Sequence, residues 1–160
     1  MVLEKSIQDK MINKEGDLIM NITIKNMDLF AVPQGYYLAH CISADFALGA
    51  GIAKKFDEVY NMRFKLFREY DNYEYEGGDS LPIDNVFNLV TKKKCFHKPT
   101  YDSLREALEC MKYEMEILGV TKLAMPRIAS GLDRLEWSRV YEIVCEVFEG
   151  MDVEILICEL

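Results

Sequence analysis

Basic side chains are concentrated in the segment Thr91 to Thr100, which reads TKKKCFHKPT, although the formal net charge of the chain is −8. Lys92 directly follows the last threonine of an apolar run, so we expect it at the rim of a sheet. A lysine amine attacks carbon only in its neutral form, which crowded like charges and partial burial both favour. The segment therefore predicts a nucleophilic lysine, a phosphate-attracting patch, or lysines that simply face solvent.

A turn of small residues follows the apolar run YYLAHCI and leads into a helix. It comprises Gly49, Ala50 and Gly51. Small residues at the start of a helix let backbone N–H groups approach an anion, such as a diphosphate, at the positive end of the helix dipole. The turn is therefore a candidate diphosphate site, although an ordinary tight turn explains the same residues equally well.

A second flexible turn lies in the segment PRIASGLDRLEW. Ser130 and Gly131 predict backbone hydrogen-bond donors there, and Asp133 stands just before a helix as a candidate proton carrier. The spacing of Asp133 and Glu136 also fits a helix N-cap with a capping box, which is a purely structural role. Both interpretations of Asp133 stay open, because capping and catalysis are compatible.

Histidine and cysteine form no recognisable catalytic or metal-binding pattern. Neither His40 nor His97 has a serine, cysteine or carboxylate at a triad spacing, so hydrogen-bonded core residues are expected more than bases. The five cysteines include no CxxC pair, which predicts neither a disulfide framework nor a zinc site and fits a reducing cytoplasm. No metal or other cofactor is expected, and Trp137 is interpreted as a packing residue.

Apolar, β-rich runs alternate with helical patterns along the chain. This alternation predicts an α/β domain with a mostly parallel or mixed sheet that is covered by helices on both faces. The predicted strands are YYLAHCI, IDNVFNLVT, KLAMP and VEILICEL. Residues 12–30 predict either one strand or two strands joined by a turn at Gly16 and Asp17. The segment YDNYEYEGGDSLP, residues 70–82, predicts a solvated surface loop.

Three amphipathic patterns predict the helices. In the second, Ser103 and Glu106 have capping-box spacing and Gly119 supplies the left-handed stop. In the third, which ends before Gly150, the inward-facing residues are Val140, Val144, Val147 and Phe148. The predicted ranges are 52–70, 103–118 and 135–148.

The bulk composition limits the classes of protein to which the chain can belong. Its 160 residues are half hydrophobic, which suits a single core and therefore one domain. The 27 acidic against 19 basic residues argue against broad adhesion to nucleic acid or to anionic membranes, but not against a local basic pocket. No apolar run approaches the roughly 20 residues that span a bilayer, and the first residues lack the apolar core of a signal peptide. A soluble cytoplasmic protein is expected.

Four segments together resemble a macrodomain, the ADP-ribose-binding α/β fold, and within it the terminal ADP-ribose protein glycohydrolase branch. They are DLFAVP, LAHCISADFALGAGIAKKF, TKKKCFHKPTYDSL and MPRIASGLDRLEW. The resemblance covers the chain from about Ile24 to its C-terminus. It implies a three-layer α/β/α sandwich with a central mixed sheet, as one domain over residues 1–160. The first twenty residues have no counterpart and are expected to be an extra strand or partly disordered.

The resemblance also implies roles for individual residues. Asp28 would accept a hydrogen bond from the adenine amino group, and His40 and Ser43 would lie in the first loop near the ribose. Lys92 would attack the anomeric carbon of the distal ribose, and Asp133 would move the protons. The remaining contacts would line the diphosphate and distal ribose (Gly49, Ala50, Gly51 and Ile52) and close over the phosphates from the other side (Ile128, Ala129, Ser130, Gly131 and Leu132).

The resemblance implies a hydrolase whose partner is ADP-ribose or an ADP-ribosylated substrate, ADP-ribosylated nucleic acid included. The group removed would be an acidic protein side chain, a nucleic-acid base or the acetyl group of O-acetyl-ADP-ribose. A non-catalytic ADP-ribose-binding module is the alternative, whereas stable nucleic-acid or membrane binding is not expected. Two positions depart from the family pattern, which has glycine where this chain has Met27 and Ala129.

Overall fold

The computed structural model describes residues 6–12 and 18–160, with side chains from residue 20 onward. Within these residues the chain alternates strands and helices, as predicted. The strands are β1 (Ser6–Ile12), β2 (Leu18–Asn26), β3 (Tyr37–Ser43), β4 (Asp79–Ile83), β5 (Val86–Lys92), β6 (Lys122–Met125) and β7 (Val153–Glu159). The α-helices are α1 (Gly51–Tyr60), α2 (Met62–Glu69), α3 (Tyr101–Leu118) and α4 (Trp137–Phe148), and a 3-10 turn spans Leu29–Ala31.

The strands form one mixed sheet in the order β1-β2-β7-β6-β3-β5-β4. The five central strands, β2, β7, β6, β3 and β5, are parallel to one another, and β1 and β4 run antiparallel at the two edges. Because the carboxyl ends of parallel strands meet at one edge, the loops that follow β3, β5 and β6 converge there. The prediction of a mixed sheet is confirmed.

Helices cover both faces of this sheet and so complete the predicted three layers. The first core, under α3 and α4, contains Leu108 and Val144. The second core, under α1 and α2, contains Phe56 and Leu66. Successive residues of β5 point alternately into the two cores, which is why both faces of this strand carry buried apolar side chains.

Helix α3 begins at Tyr101, two residues before the start that the sequence pattern predicted. The Oγ1 atom of Thr100 accepts a hydrogen bond from the Ser103 N–H, and the Ser103 Oγ atom accepts one from the Thr100 N–H, both at 3.0 Å. Ser103 is therefore the N3 partner of the capping box and not its N-cap, so the predicted pair with Glu106 is wrong. The predicted stop is confirmed, because Gly119 has φ of 70° at the C-cap.

The single helix predicted over residues 52–70 is two helices. Asn61 lies between α1 and α2 with φ of 54°, a left-handed conformation that asparagine tolerates better than most residues. The loop predicted over residues 70–82 contains the start of edge strand β4. Its tyrosines are not all solvated, because Tyr70 packs against the second core and donates a hydrogen bond to the carbonyl of Pro82 at 2.9 Å.

The two ends of the chain follow the predicted pattern where the structure describes them. Strands β1 and β2 form an antiparallel pair, whereas the predicted turn at Gly16 and Asp17 lies outside the described residues. Helix α4 starts at Trp137, two residues after the predicted start, and its four predicted inward-facing residues are buried. In the described part of the chain, no helix has the length and apolar character that a membrane crossing requires.

Candidate active site

A cavity of about 1080 Å³ lies at the sheet edge where the carboxyl ends of β3, β5 and β6 meet. Its lining includes every predicted site residue except Asp28 and His40. The residues that it brings together are Ser43, Gly49, Ala50, Gly51, Ile52, Lys92, Ile128, Ala129, Ser130, Gly131, Leu132 and Asp133. Three segments that are far apart in the sequence therefore share one concave surface.

Lys92 and Asp133 form a direct ion pair in this cavity. The Lys92 Nζ atom donates to the Asp133 Oδ1 atom at 2.8 Å, and the two side chains are only 15% and 16% exposed. Lys92 ends β5 and Asp133 follows β6, so the pair forms across the end of β3, which lies between them in the sheet. The capping interpretation of Asp133 is wrong, because the residue before α4 is Glu136 and Asp133 contacts Lys92 instead.

The loop that carries Asp133 is held by its own backbone. Ala129 and Arg134 adopt left-handed conformations with φ of 59° and 61°, and the Leu135 N–H donates to the Ala129 carbonyl at 2.8 Å across the loop. An alanine in this conformation costs about 1–2 kcal/mol, which a glycine would not incur. Ala129 therefore keeps the turn at that cost.

The glycine turn and the Asp133 loop face each other across the cavity. Gly51 has φ of 59°, and a Cβ atom built on it would lie 3.0 Å from the Leu132 Cδ1 atom. Helix α1 follows Ala50, whose alanine side chain provides no cap. The first-turn residues of α1 line the cavity, and no side-chain cap competes with an anion for their N–H groups.

Asp45 joins the loop after β3 to the loop after β5, a contact that the sequence did not predict. Its Oδ1 atom accepts from the Ser43 hydroxyl at 2.5 Å, and its Oδ2 atom accepts from the Cys95 N–H at 3.0 Å. Burial by itself would raise the pKa of Asp45, but these hydrogen bonds and one from the Ala47 N–H outweigh it and lower the pKa. The Ser-x-Asp spacing at residues 43–45, typical of a local side-chain turn, could have indicated this role.

His40 is a core residue, so the prediction that placed it in the first loop is wrong. It lies within β3, where it is fully buried, and its ring stacks on Phe56 with 3.9 Å between centroids. The His40 Nε2 atom is 2.6 Å from the Asn88 Oδ1 atom. Burial lowers the pKa of His40 to about 4, against the opposing hydrogen bond to Asn88. A neutral histidine on the far side of this strand does not reach the cavity.

Asp28 lies beside the cavity without lining it. It caps the turn Leu29–Ala31, where its Oδ1 atom accepts from the Phe30 N–H at 3.0 Å. Cys158 does line the cavity, and burial, followed by the charge of Asp28, raises the pKa of that thiol to about 11. The Met27 N–H donates to the Glu159 carbonyl at 2.8 Å, which attaches the Asp28 segment to the end of β7.

Cysteine is another possible nucleophile on the cavity wall. Burial, and then the charge of Asp133, raises the pKa of Cys41 to about 12, so its thiol stays protonated at neutral pH. Trp137, predicted to be a packing residue, both packs against the first core and lines the cavity, with the Arg127 guanidinium 5.5 Å from its ring centroid. In the described residues, no group of histidine, cysteine and carboxylate side chains is placed to hold a metal ion.

The fold is that of solved macrodomains. The macrodomain of Thermus aquaticus DarG matches with a TM-score of 0.74 and 20% sequence identity, over 88% of this chain and 99% of that one. The structure of Thermosipho africanus DarTG in complex with ADP-ribose matches with a TM-score of 0.68 and 16% identity, over 86% of this chain and 41% of that one. The predicted three-layer macrodomain fold is thereby confirmed.

Sequence similarity narrows the class. ADP-ribose glycohydrolase OARD1 of Bos taurus is 43% identical over 143 residues, which cover 87% of this chain and 91% of the bovine protein. The Homo sapiens protein of the same name is 42% identical over the same length. No family model matches the chain. The chain belongs to the family of ADP-ribose glycohydrolase OARD1, which confirms the resemblance to this branch of macrodomains.

Proposed function

We propose that the chain is a de-ADP-ribosylating hydrolase in which Lys92 is the nucleophile and Asp133 the proton carrier. The observation that carries this proposal is the 2.8 Å contact between the two side chains on the wall of the cavity. The relatives' name, ADP-ribose glycohydrolase, supports the reaction class.

We infer one orientation for ADP-ribose in the cavity. Its diphosphate would lie between the first turn of α1 and the loop 128–132, where backbone N–H groups and the helix dipole favour negative charge. The distal ribose would then reach Lys92, and the adenine would extend toward Cys158 and Asp28. In this orientation the free Oδ2 atom of Asp28 accepts from the adenine amino group, because Oδ1 is used by Phe30.

The proposed reaction begins from the ion pair. Asp133 accepts a proton from the Lys92 ammonium, and the neutral amine bonds to the anomeric carbon as the bond to the leaving group breaks. The leaving group takes the proton from Asp133, and the secondary ammonium of the adduct pairs with the carboxylate. Ring opening of the adduct moves a proton from nitrogen to the ring oxygen and leaves a protonated imine, which a hydride reagent can reduce.

Hydrolysis regenerates the starting state. Closure of the ring restores the secondary ammonium of the adduct. Asp133 takes a proton from water, and the hydroxide bonds to the anomeric carbon as the bond from that carbon to the Lys92 nitrogen breaks, which releases a neutral amine. Asp133 then returns the proton to the amine, which restores the ammonium and the carboxylate. The group removed is an acidic protein side chain, a nucleic-acid base or the acetyl group of O-acetyl-ADP-ribose.

A trapping experiment tests this proposal. The wild-type chain is incubated with a glutamyl-linked peptide, a base-linked oligonucleotide and O-acetyl-ADP-ribose, and released ADP-ribose is measured by mass spectrometry. Borohydride is then added, and the modified peptide is expected to carry the sugar on Lys92. Lys92→Ala should abolish turnover, and Asp133→Asn should lower it by about 10²–10⁴-fold. Lys93→Ala, at the exposed neighbouring position, is the matched control.

A non-catalytic ADP-ribose-binding module is the second candidate, and one observation favours it. The Lys92 Nζ atom is held in an ion pair with Asp133, and a lysine that takes part in an ion pair is a cation, which is not nucleophilic. The module predicts that ADP-ribose affinity survives Lys92→Ala and that borohydride traps no adduct. Release of no ADP-ribose by either Lys92→Ala or the wild type decides against the enzyme, whereas equal, measurable release by both decides only against Lys92 as the nucleophile.

A further inference from the structure

The pairing of the sheet is irregular where β5 reaches Lys92. Ile42 of β3 pairs with Val90 of β5, but the next residue of β3 pairs with Lys92. Thr91 is therefore one extra residue in β5, a bulge that interrupts the alternation of side chains along the strand. The direction of the Lys92 side chain depends on this bulge, so the contacts that hold the bulge also position the amine.

The loop after β3 holds the chain at and beyond this bulge through two hydrogen bonds. The Ala44 N–H donates to the Lys92 carbonyl at 2.9 Å. The Cys95 N–H donates to the Asp45 Oδ2 atom at 3.0 Å. The first bond joins backbone atoms and can form with any side chains, whereas the second requires an acceptor in the side chain of residue 45. Asp45 therefore fixes the course of the segment 92–95.

The Asp45 carboxylate is itself fixed on its other side. Its Oδ1 atom accepts from the Ser43 hydroxyl at 2.5 Å and from the Ala47 N–H at 3.3 Å. Hydrogen bonds to an ionised acceptor are stronger than those between neutral groups, and together these bonds hold the carboxylate in one orientation. Asp45 therefore serves as a fixed point for the Cys95 N–H.

The loop that carries Asp45 is held in a strained conformation. Phe46 and Leu48 have φ of 53° and 42°, in the left-handed region, and both side chains are buried. Large residues other than glycine adopt this conformation at a cost in free energy, and they keep it only where the surrounding structure fixes it. The Arg63 Nε atom donates to the Phe46 carbonyl at 3.0 Å and supplies part of that fixation. The loop is thus a rigid support beside the cavity.

We propose that Asp45 is a positioning residue for the reaction: it holds the segment 92–95 so that the Lys92 amine lies where the anomeric carbon arrives. This inference rests on the proposed function of Lys92. Cys95 lines the cavity and Asp45 does not, so Asp45 acts through the backbone of the segment and not on the substrate. A misplacement of about 1 Å at the reacting atoms can lower a rate by about 10²-fold.

Cys95→Pro tests the contact without changing Asp45. Cys95 is the second residue of a turn in which the His97 N–H donates to the Lys94 carbonyl at 3.0 Å. Proline is favoured at this place in a turn, and neither Cys95 nor Phe96 has a left-handed φ. The variant removes the N–H that Asp45 binds. It is compared with Cys95→Ala, which removes the same thiol but keeps the N–H.

Both variants are assayed on whichever of the three ADP-ribosylated substrates the wild-type chain cleaves. Relative to Cys95→Ala, Cys95→Pro should lower kcat about tenfold, the factor for one hydrogen bond to a charged group. The rate at which borohydride traps the adduct on Lys92 should fall by the same factor. The affinity for ADP-ribose, measured by calorimetry, should not change, because the diphosphate contacts lie elsewhere on the cavity wall.

The carboxylate is tested by a second substitution. Asp45→Ala should lower kcat by about 10²-fold, and adding Cys95→Pro to it should lower kcat no further, because the two changes remove the same hydrogen bond. The matched control is Asp57→Ala. Asp57 also holds a loop through a backbone N–H, that of Arg63 at 2.9 Å, but it does not line the cavity, and kcat should be unchanged.

The outcomes separate this inference from the proposed function. If the wild-type chain releases ADP-ribose and Cys95→Pro has the same kcat as Cys95→Ala, the inference is wrong and the hydrolase stands. The inference is also wrong if the double variant loses the product of the two single losses, or if kcat and ADP-ribose affinity fall equally. If Asp45→Ala does not fold, the two Cys95 variants decide alone. A wild-type chain that releases no ADP-ribose instead contradicts the proposed function.

Discussion

Replacing Lys92 and Asp133 singly and together measures how strongly the cavity couples them. Two unit charges 2.8 Å apart attract by about 6 kcal/mol at an effective dielectric constant of about 20. Both side chains are largely buried, so loss of hydration offsets much of this attraction, and we expect a net coupling of about 1.5–3 kcal/mol. The losses of unfolding free energy caused by Lys92→Met and by Asp133→Asn should therefore add up to more than the loss in the double variant. The difference is the coupling.

The free energy of unfolding in urea provides the measurement. Trp137, the one tryptophan of the chain, packs against the first core and reports unfolding by its fluorescence. The matched control is the pair Lys65 and Asp84, which has nearly the same length, 2.7 Å, but side chains that are 26% and 52% exposed. That pair should couple by only about 0.2–1 kcal/mol, because water screens it.

The comparison of the two pairs has a refuting result. If the coupling of Lys92 with Asp133 is no larger than that of Lys65 with Asp84, the cavity gives the catalytic pair no electrostatic advantage over a surface ion pair. The proposed proton transfer would then lack the partly buried setting on which it depends, even though the two side chains touch.

Two further predictions concern stability. Burial, with an added contribution from the charge of Asp79, raises the pKa of Glu114 to about 7. Because the folded chain holds this proton more tightly than the unfolded chain, the free energy of unfolding should fall as the pH rises from about 4.5 to about 7. Glu114→Gln should raise the free energy of unfolding at pH 8 by about 1 kcal/mol, a value discounted for the partial exposure of the side chain. The control variant Glu116→Gln should leave it unchanged. Gly78→Ala should lose at least about 2 kcal/mol in thermal unfolding, because its Cβ atom would lie 1.9 Å from a backbone oxygen of α3, and Gly131→Ala, with nothing within 4 Å, is the control.

Local patterns were sufficient to predict the layers of the fold and most of the cavity wall. The apolar runs, the glycines at 49 and 51, and the position of Lys92 at a strand end depend only on neighbouring residues. Parallel strands then bring their carboxyl ends to one edge, so the loops that follow them meet there. The start of α3 was predicted two residues too late, because Thr100 and Ser103 can both cap a helix and the sequence does not distinguish them.

Contacts between distant segments required the tertiary structure. Local sequence patterns were enough to predict a lysine and an aspartate near the sheet edge. The strand order β6-β3-β5 then brings Lys92 and Asp133 into contact. The same order buried His40 against Phe56 and joined Asp45 to the loop after β5. Such contacts depend on which strands are neighbours in the sheet. The strand order results from the packing of the whole core, so it cannot be predicted from local sequence patterns.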